Sequence, residues 1–217
     1  MYKTVVFDLD GTLLNTLTDL ADAGNRLCRK YGWPTHERQA YRYFVGNGIP
    51  KLVERLAPAD QRTPAVLEAV LADFKRDYGQ HLRDTTAPYP GIPEMLAKLK
   101  ANGVQLAVFS NKADALAKEV VKDYFGTQYF TIVRGQMTGV APKPAAEGTN
   151  ALLQALHADP ASTLYVGDSN VDVETAHNAN LPCCGAVWGF RTREELNAAG
   201  AEYLAENSDE LYDVIMK

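Results

Sequence analysis

The chain has 217 residues, of which 46% are hydrophobic and 23% charged, with a net charge of −5. That balance is one of a globular core, either a single domain or a core with a small insert. An acidic chain argues against nucleic-acid binding, and no apolar run approaches the ~20 residues that span a bilayer.

Val5, Val6 and Phe7 read as a short buried strand, with no basic segment or long apolar stretch of a signal peptide around them. The strand stops on Asp8, and Asp10, Gly11 and Thr12 follow at once. Unpaired buried charge is costly, so a strand ending on two carboxylates implies a cation or a reaction. The two-residue spacing aims Asp8 and Asp10 the same way while a strand continues. Gly11 permits a tight turn and a close approach to a ligand, and Thr12 supplies a hydroxyl. Two carboxylates, Mg²⁺ and a bound phosphate make a consistent set. A plain Asp-Gly turn at a strand end competes with it.

From Leu13 the pattern is helical, with Leu17, Leu20, Ala21, Gly24 and Leu27 at spacings of three and four, until Gly32-Trp33-Pro34 breaks it. Further helices are expected over 37–45, 51–56 and 63–82, with a Gly46-Asn47-Gly48 turn between the first two. Residues 15–83 contain no convincing strand and are expected to form an all-helical insert in a core made of 1–14 and 84–217. Gly46, Asn47 and Gly48 stand before a helix expected to carry Lys51 and Arg55 in its first turns. Backbone amides there would suit the anionic end of a substrate opposite its phosphate. A tight helix–helix turn is the competing account.

After Tyr89-Pro90-Gly91 strands and helices alternate. Strands are expected at 104–109, 130–134, 163–166 and 183–187, and helices at 92–102, 112–123, 144–157, 171–179 and 208–216. Such alternation predicts an α/β, Rossmann-like parallel sheet covered on both faces, with ligands beyond the carboxyl ends of the strands. Asp8, Ser110 and Asp168 each fall at such an end, and Lys143 lies in a nearby loop. Ser110, read as preceding a helix, offers a hydroxyl beside helical amides for an anion, or a simple N-cap. Lys143, between Pro142 and Pro144, could neutralise a transferring phosphoryl group; a solvated lysine is the alternative, and Pro144 is expected at the first helical position. Asp168 ends an apolar strand as Asp8 does, and Asp172 lies four residues on, where helix capping would also account for it. Cys28, Cys183 and Cys184 form no C-x-x-C motif and are odd in number, so neither a disulfide framework nor a zinc site is expected; the cytosol is the expected compartment.

In order and context these stretches resemble the haloacid dehalogenase-like superfamily. Asp8-Leu9-Asp10-Gly11-Thr12 looks like its first motif and Ser110-Asn111 its second. Lys143 resembles the third, and Gly167-Asp168 with Asp172 the fourth. The helical insert, Gly46-Asn47-Gly48 and Ser110-Asn111-Lys112 look most like phosphoglycolate phosphatases, although the acidic residue many relatives carry just after the lysine is missing from Pro142-Lys143-Pro144-Ala145-Ala146.

The resemblance implies a Mg²⁺-dependent phosphoryl transfer, with Asp8 as nucleophile forming an aspartyl phosphate and Asp10 as general acid and base. It implies phosphate binding by Thr12, Ser110, Asn111 and Lys143. Mg²⁺ would be held by Asp8, the backbone carbonyl of Asp10 and Asp168, with Asp172 orienting a water from outside these ligands. The helical insert would act as a cap that closes over the site and selects the leaving group. The expected substrate is a small phosphorylated metabolite, 2-phosphoglycolate first, handled by a monomer or homodimer with no nucleic-acid or membrane partner. A sugar-phosphate phosphatase or phosphomutase would keep every motif. A dehalogenase would not need Asp10, and a catalytically silent binding protein would be expected to have lost a core residue, yet none is missing.

Overall fold

Thr4–Phe7 is buried at every position, as a strand covered on both faces must be. It opens a chain whose structure, a computed structural model, describes residues 1–217. In chain order the elements are β1 (Thr4–Phe7), β2 (Leu14–Asn15), α1 (Leu17–Lys30), α2 (Arg38–Phe44), α3 (Ile49–Leu56), α4 (Pro64–His81), β3 (Ala87–Pro88), α5 (Ile92–Ala101), β4 (Gln105–Ala113), α6 (Asp114–Phe125), β5 (Phe130–Gln136), α7 (Ala146–Leu156), β6 (Thr163–Gly167), α8 (Asn170–Asn178), β7 (Cys183–Ala186), α9 (Arg193–Ala198), β8 (Tyr203–Ala205) and α10 (Ser208–Met216). No helix is long and apolar enough to cross a membrane.

The chain divides into two compact units, 1–14 with 88–217, and 15–87. The first is α/β. Its six strands run in the order β5-β4-β1-β6-β7-β8, with parallel pairing throughout. The strand order reverses at β1, which lies between β4 and β6, and such a reversal opens a crevice beyond the strand ends. On one face Val6, Ala107, Phe109 and Tyr165 pack with Leu152, Leu153 and Leu156 of α7 and Val173 and Ala176 of α8. The cysteines are free and buried; burial pushes the Cys184 thiol up to about 12, so it stays protonated and inert.

The second unit is helical. α1 buries Leu20, Ala21, Ala23, Gly24, Leu27 and Cys28 along one stripe, and Tyr41, Phe74 and Tyr78 complete the interior. Asp19 is buried in the first turn of α1, where its carboxylate accepts four hydrogen bonds at 2.5–2.9 Å from the backbone N–H and hydroxyl groups of Thr85 and Thr86. These bonds tie Thr85 and Thr86 to α1, so the unit runs to Ala87 rather than to residue 83.

Between α2 and α3, Gly46 and Gly48 have φ of +115° and +82°, and Gly48 is the N-cap of α3. Lys51 pairs with Glu54 at 2.8 Å. Arg55 corrects the expectation that it sits in the first turns, for it lies in the last turn of α3. Its guanidinium points back to donate to the carbonyls of Tyr43 and Phe44 and to Asn47 Oδ1, at 3.0, 2.8 and 2.9 Å.

Three other boundaries differ from expectation. α1 begins at Leu17, because Leu13 and Leu14 belong to a turn whose amides return to Leu9. Pro144 is not the first helical residue: Ala145 is the N-cap of α7 and the Lys143–Pro144 peptide is cis. β4 continues through Ala113, past the expected helix start at Lys112.

Candidate active site

Across the sheet Phe7 faces Val108 on β4 and Val166 on β6, so Asp8, the start of the irregular stretch of β4 at 110–112 and Asp168 come to the same edge of the sheet. Asp8 follows β1, and its backbone N–H donates to the carbonyl of Val166 at 2.8 Å. The chain then turns on Leu9, whose carbonyl accepts the amides of Thr12, Leu13 and Leu14. Gly11 has a φ of +90°, and a Cβ there would lie 2.3 Å from Asp168 Oδ2, so both the backbone conformation and the space demand glycine.

The turn brings together Asp8, Asp168 and Asp172, all buried, with one carboxylate oxygen of each within 4.8 Å of the others. Asp10 is not part of that cluster. Lys143 enters it, with Nζ 2.7 Å from Asp172 Oδ1, 2.9 Å from Asp8 Oδ1 and 3.2 Å from the Tyr165 hydroxyl. The approach to Asp8 is short but misaligned, which leaves that buried Oδ1 without a hydrogen bond.

Crowding charge away from water shifts the acidity of these groups. Burial pushes the Asp8 carboxyl up to about 7; Lys143 opposes the shift and Asp172 adds to it. Burial, then the charges of Asp172 and Asp8, push Asp168 well above the usual carboxylate range. Burial works against the Lys143 ammonium, but Asp172 and Asp8 outweigh it and hold the group well above the ordinary lysine value. A buried acceptor with no donor, among hard oxygen ligands whose charge is undercompensated, fits a divalent cation such as Mg²⁺ held by Asp8 and Asp168.

The other expected site residues hold this centre together. Thr12, expected on phosphate, donates its buried hydroxyl to Asp168 Oδ1 at 3.0 Å, so its first task is to fix that carboxylate. Asp172 spends Oδ1 on Lys143 and Oδ2 on the backbone N–H and hydroxyl of Ser169, closing the first turn of α8. Ser110 is not a helix N-cap. β4 bulges between Phe109 and Ala113, which pair with Arg134 and Gln136 of β5, so 110–112 stand off the ladder, and a bulge re-aims side chains. The Ser110 hydroxyl accepts from the Lys112 amide at 3.2 Å. Asn111, also expected on phosphate, gives its side chain to the backbone of Lys143. Its Oδ1 accepts that residue's N–H at 2.9 Å and its Nδ2 donates to the carbonyl at 3.2 Å.

Two parts of the site carry little signal in the sequence. Lys112, expected as the first helical residue, is almost wholly buried in β4 and places Nζ 3.0 and 3.3 Å from the two oxygens of Asp10. The loop after β7 closes the opposite side. Trp188 Nε1 donates to the carbonyl of Thr12 at 3.0 Å, and the Phe190 amide donates to Asp168 Oδ2 at 2.7 Å. A Trp-Gly pair directly after a buried strand was the available signal. A Cβ on Gly189 would lie 2.1 Å from that of Asp168 and 2.6 Å from the Gly11 carbonyl. Gly189→Ala is therefore expected to displace Asp168 and weaken divalent-cation binding by about 10- to 100-fold, measured by titration calorimetry. Gly46, Asn47 and Gly48 belong to the helical unit, as described above.

Known proteins share this architecture. A family model described as haloacid dehalogenase-like hydrolase matches residues 5–186. A phosphoglycolate phosphatase of Chromobacterium violaceum is 31% identical over 216 residues, covering 98% of this chain and 96% of its own. A crystal structure from Lactobacillus delbrueckii subsp. bulgaricus is 29% identical with a TM-score of 0.93, covering 99% of this chain and 98% of its own. Another, described as a predicted phosphoglycolate phosphatase from Haemophilus somnus, is 26% identical with a TM-score of 0.91, covering 98% and 97%.

Proposed function

The chain belongs to the haloacid dehalogenase-like hydrolase family and is a phosphatase, and on that footing we propose that it hydrolyses 2-phosphoglycolate, or a near relative of it, through an aspartyl phosphate on Asp8. The observation that carries the mechanism is the orphaned, buried Oδ1 of Asp8 beside Lys143 and Asp168.

Asp8 attacks phosphorus as the bond to the ester oxygen breaks, and Asp10 gives that oxygen a proton, releasing the alcohol. Asp10 then takes a proton from the water that attacks the acyl phosphate, which frees inorganic phosphate and restores Asp8. Lys143 balances the charge on the transferring phosphoryl group, held in place by Asn111 and Asp172. Ser110 supplies a hydroxyl to the phosphoryl oxygens, and Thr12 keeps Asp168 in place. Asp8, Asp168 and the carbonyl of Asp10 would hold Mg²⁺, which screens the negative charge of nucleophile and phosphate from each other when bound. The substrate rests on the names of the relatives and on the small helical insert.

Inorganic phosphate is expected to appear from 2-phosphoglycolate with Mg²⁺ and not with EDTA, and a mutase would release none. Full turnover in EDTA would sink the metal-dependent mechanism. Mg²⁺ affinity is expected to fall as pH drops through about 7, by up to about tenfold per unit, because the proton competes for Asp8. Calorimetry at pH 6 and pH 8 measures this, and equal affinities would contradict it.

A further inference from the structure

We propose that Lys112 is the specificity-determining residue that binds an acidic group on the leaving alcohol. The inference rests on the phosphatase mechanism above and deepens it to a substrate class: small phosphate esters with a carboxylate next to the ester-bearing carbon.

Position argues for it first. Asp10 must come within hydrogen-bond distance of the ester oxygen to protonate it. Lys112 Nζ is anchored 3.0 and 3.3 Å from the two oxygens of Asp10, so whatever the leaving group carries one carbon beyond its oxygen comes within reach of that ammonium. In 2-phosphoglycolate a single methylene separates the ester oxygen from the carboxylate.

Charge argues for it next. Asp8, Asp10, Asp168 and Asp172 line the end of the sheet, and a substrate with a carboxylate besides its phosphate brings more negative charge toward them. Lys143 is engaged with Asp8 and Asp172 at the nucleophile. Lys112 is a second cation, on the leaving-group side. Its side chain is only 3% exposed, although burying a lysine costs desolvation that a surface position would avoid. The bulge in β4 is what turns it inward.

Another candidate for this role is the turn at 46–48. There the side chain of Asn47 is held by Arg55, whose guanidinium also binds the carbonyls of Tyr43 and Phe44. These bonds build a helix–helix turn, and they give no second sign of a ligand.

The test compares 2-phosphoglycolate with ethyl phosphate, in which a methyl group replaces the carboxylate at nearly equal size. Lys112→Met is expected to reduce the ratio of kcat/KM for the two esters by about 10- to 100-fold, the worth of a charged hydrogen bond, chiefly through KM for 2-phosphoglycolate. Lys112→Arg, which restores the charge with a different shape, is expected to recover part of the ratio. An unchanged ratio in Lys112→Met, whether both esters lose equally or neither loses, overturns the proposal, because the lysine would then at most orient Asp10. Failure of the substrate assignment looks different. A wild-type enzyme that ignores 2-phosphoglycolate but prefers 2-phosphoglycerate to glycerol 2-phosphate overturns only the named substrate, and the same variants read on that pair decide the role of Lys112. A wild-type enzyme indifferent to carboxylates in both pairs overturns the role directly.

Discussion

Asp8→Asn is expected to lower turnover by about 10⁴- to 10⁶-fold, the scale seen when a covalent nucleophile is removed, with no trapped acyl phosphate. The amide matches the carboxylate in size, so β1 and its pairing to Val166 remain. The stability of the variant discriminates further. The folded-state pKa of Asp8, about 7, lies above the ordinary 3.8, so its stabilising contribution is full at low pH and is lost as pH rises through about 7. Asparagine carries no charge to bury and escapes that loss. At pH 8 without Mg²⁺ the variant is expected to melt no lower than the wild type, and at pH 5 its relative advantage should shrink. A clearly lower melting temperature at pH 8 would mean that the attraction of Lys143 outweighs the cost of burying the Asp8 charge.

Lys143→Met is expected to combine a loss of turnover with the largest loss of stability at the site. Removing one partner from a buried ion pair costs about 3–5 kcal/mol, because the remaining charge is left uncompensated. Here two partners, Asp8 and Asp172, are left facing Asp168 with no cation among them. The deficit is expected to be greater at pH 8 than at pH 5, because the Asp8 carboxyl, pushed up to about 7, takes up a proton on acidification. Mg²⁺ is expected to restore part of the melting temperature but little of the turnover, since an ion at the acid cluster replaces the charge without replacing the donor beside the phosphoryl group. Equal melting temperatures for variant and wild type at pH 8 would show that Lys143 is not the counter-charge of this cluster.

The residues that meet at the strand ends were readable because each is announced locally. Val5–Phe7, Leu106–Phe109 and Leu164–Val166 are apolar runs that stop abruptly on Asp8, Ser110 and, one glycine on, Asp168. What was hidden depends on partners far away in sequence. Ser110-Asn111-Lys112 looks like a strand giving way to a helix, since three polar residues end an apolar run. The bulge exists only in the pairing of β4 with β5, and it sends Asn111 to Lys143 and Lys112 to Asp10. Thr12 carries no sign in its own stretch that Asp168 will take its hydroxyl. β8 is short and half exposed at the edge of the sheet, so Tyr203–Ala205 lacks the apolar pattern that marks the inner strands.

The central place of β1 in the sheet has a consequence for the growing chain. Thr4 pairs with Gln105 and with Thr163, roughly 100 and 160 residues further on, so β1 is made long before it can gain both neighbours. The helical unit, 15–87, is complete in the growing chain before β4 is made, at about 5–20 residues per second. Asp168 and Asp172 come after β6, whereas Lys143 precedes it. The ammonium is therefore synthesised after Asp8 but before Asp172, the other carboxylate it pairs with. Until β6 docks, β1 has at most its β4 neighbour, Asp168 and Asp172 are not yet beside Asp8, and the carboxylate cluster on which the proposed phosphoryl transfer depends does not exist.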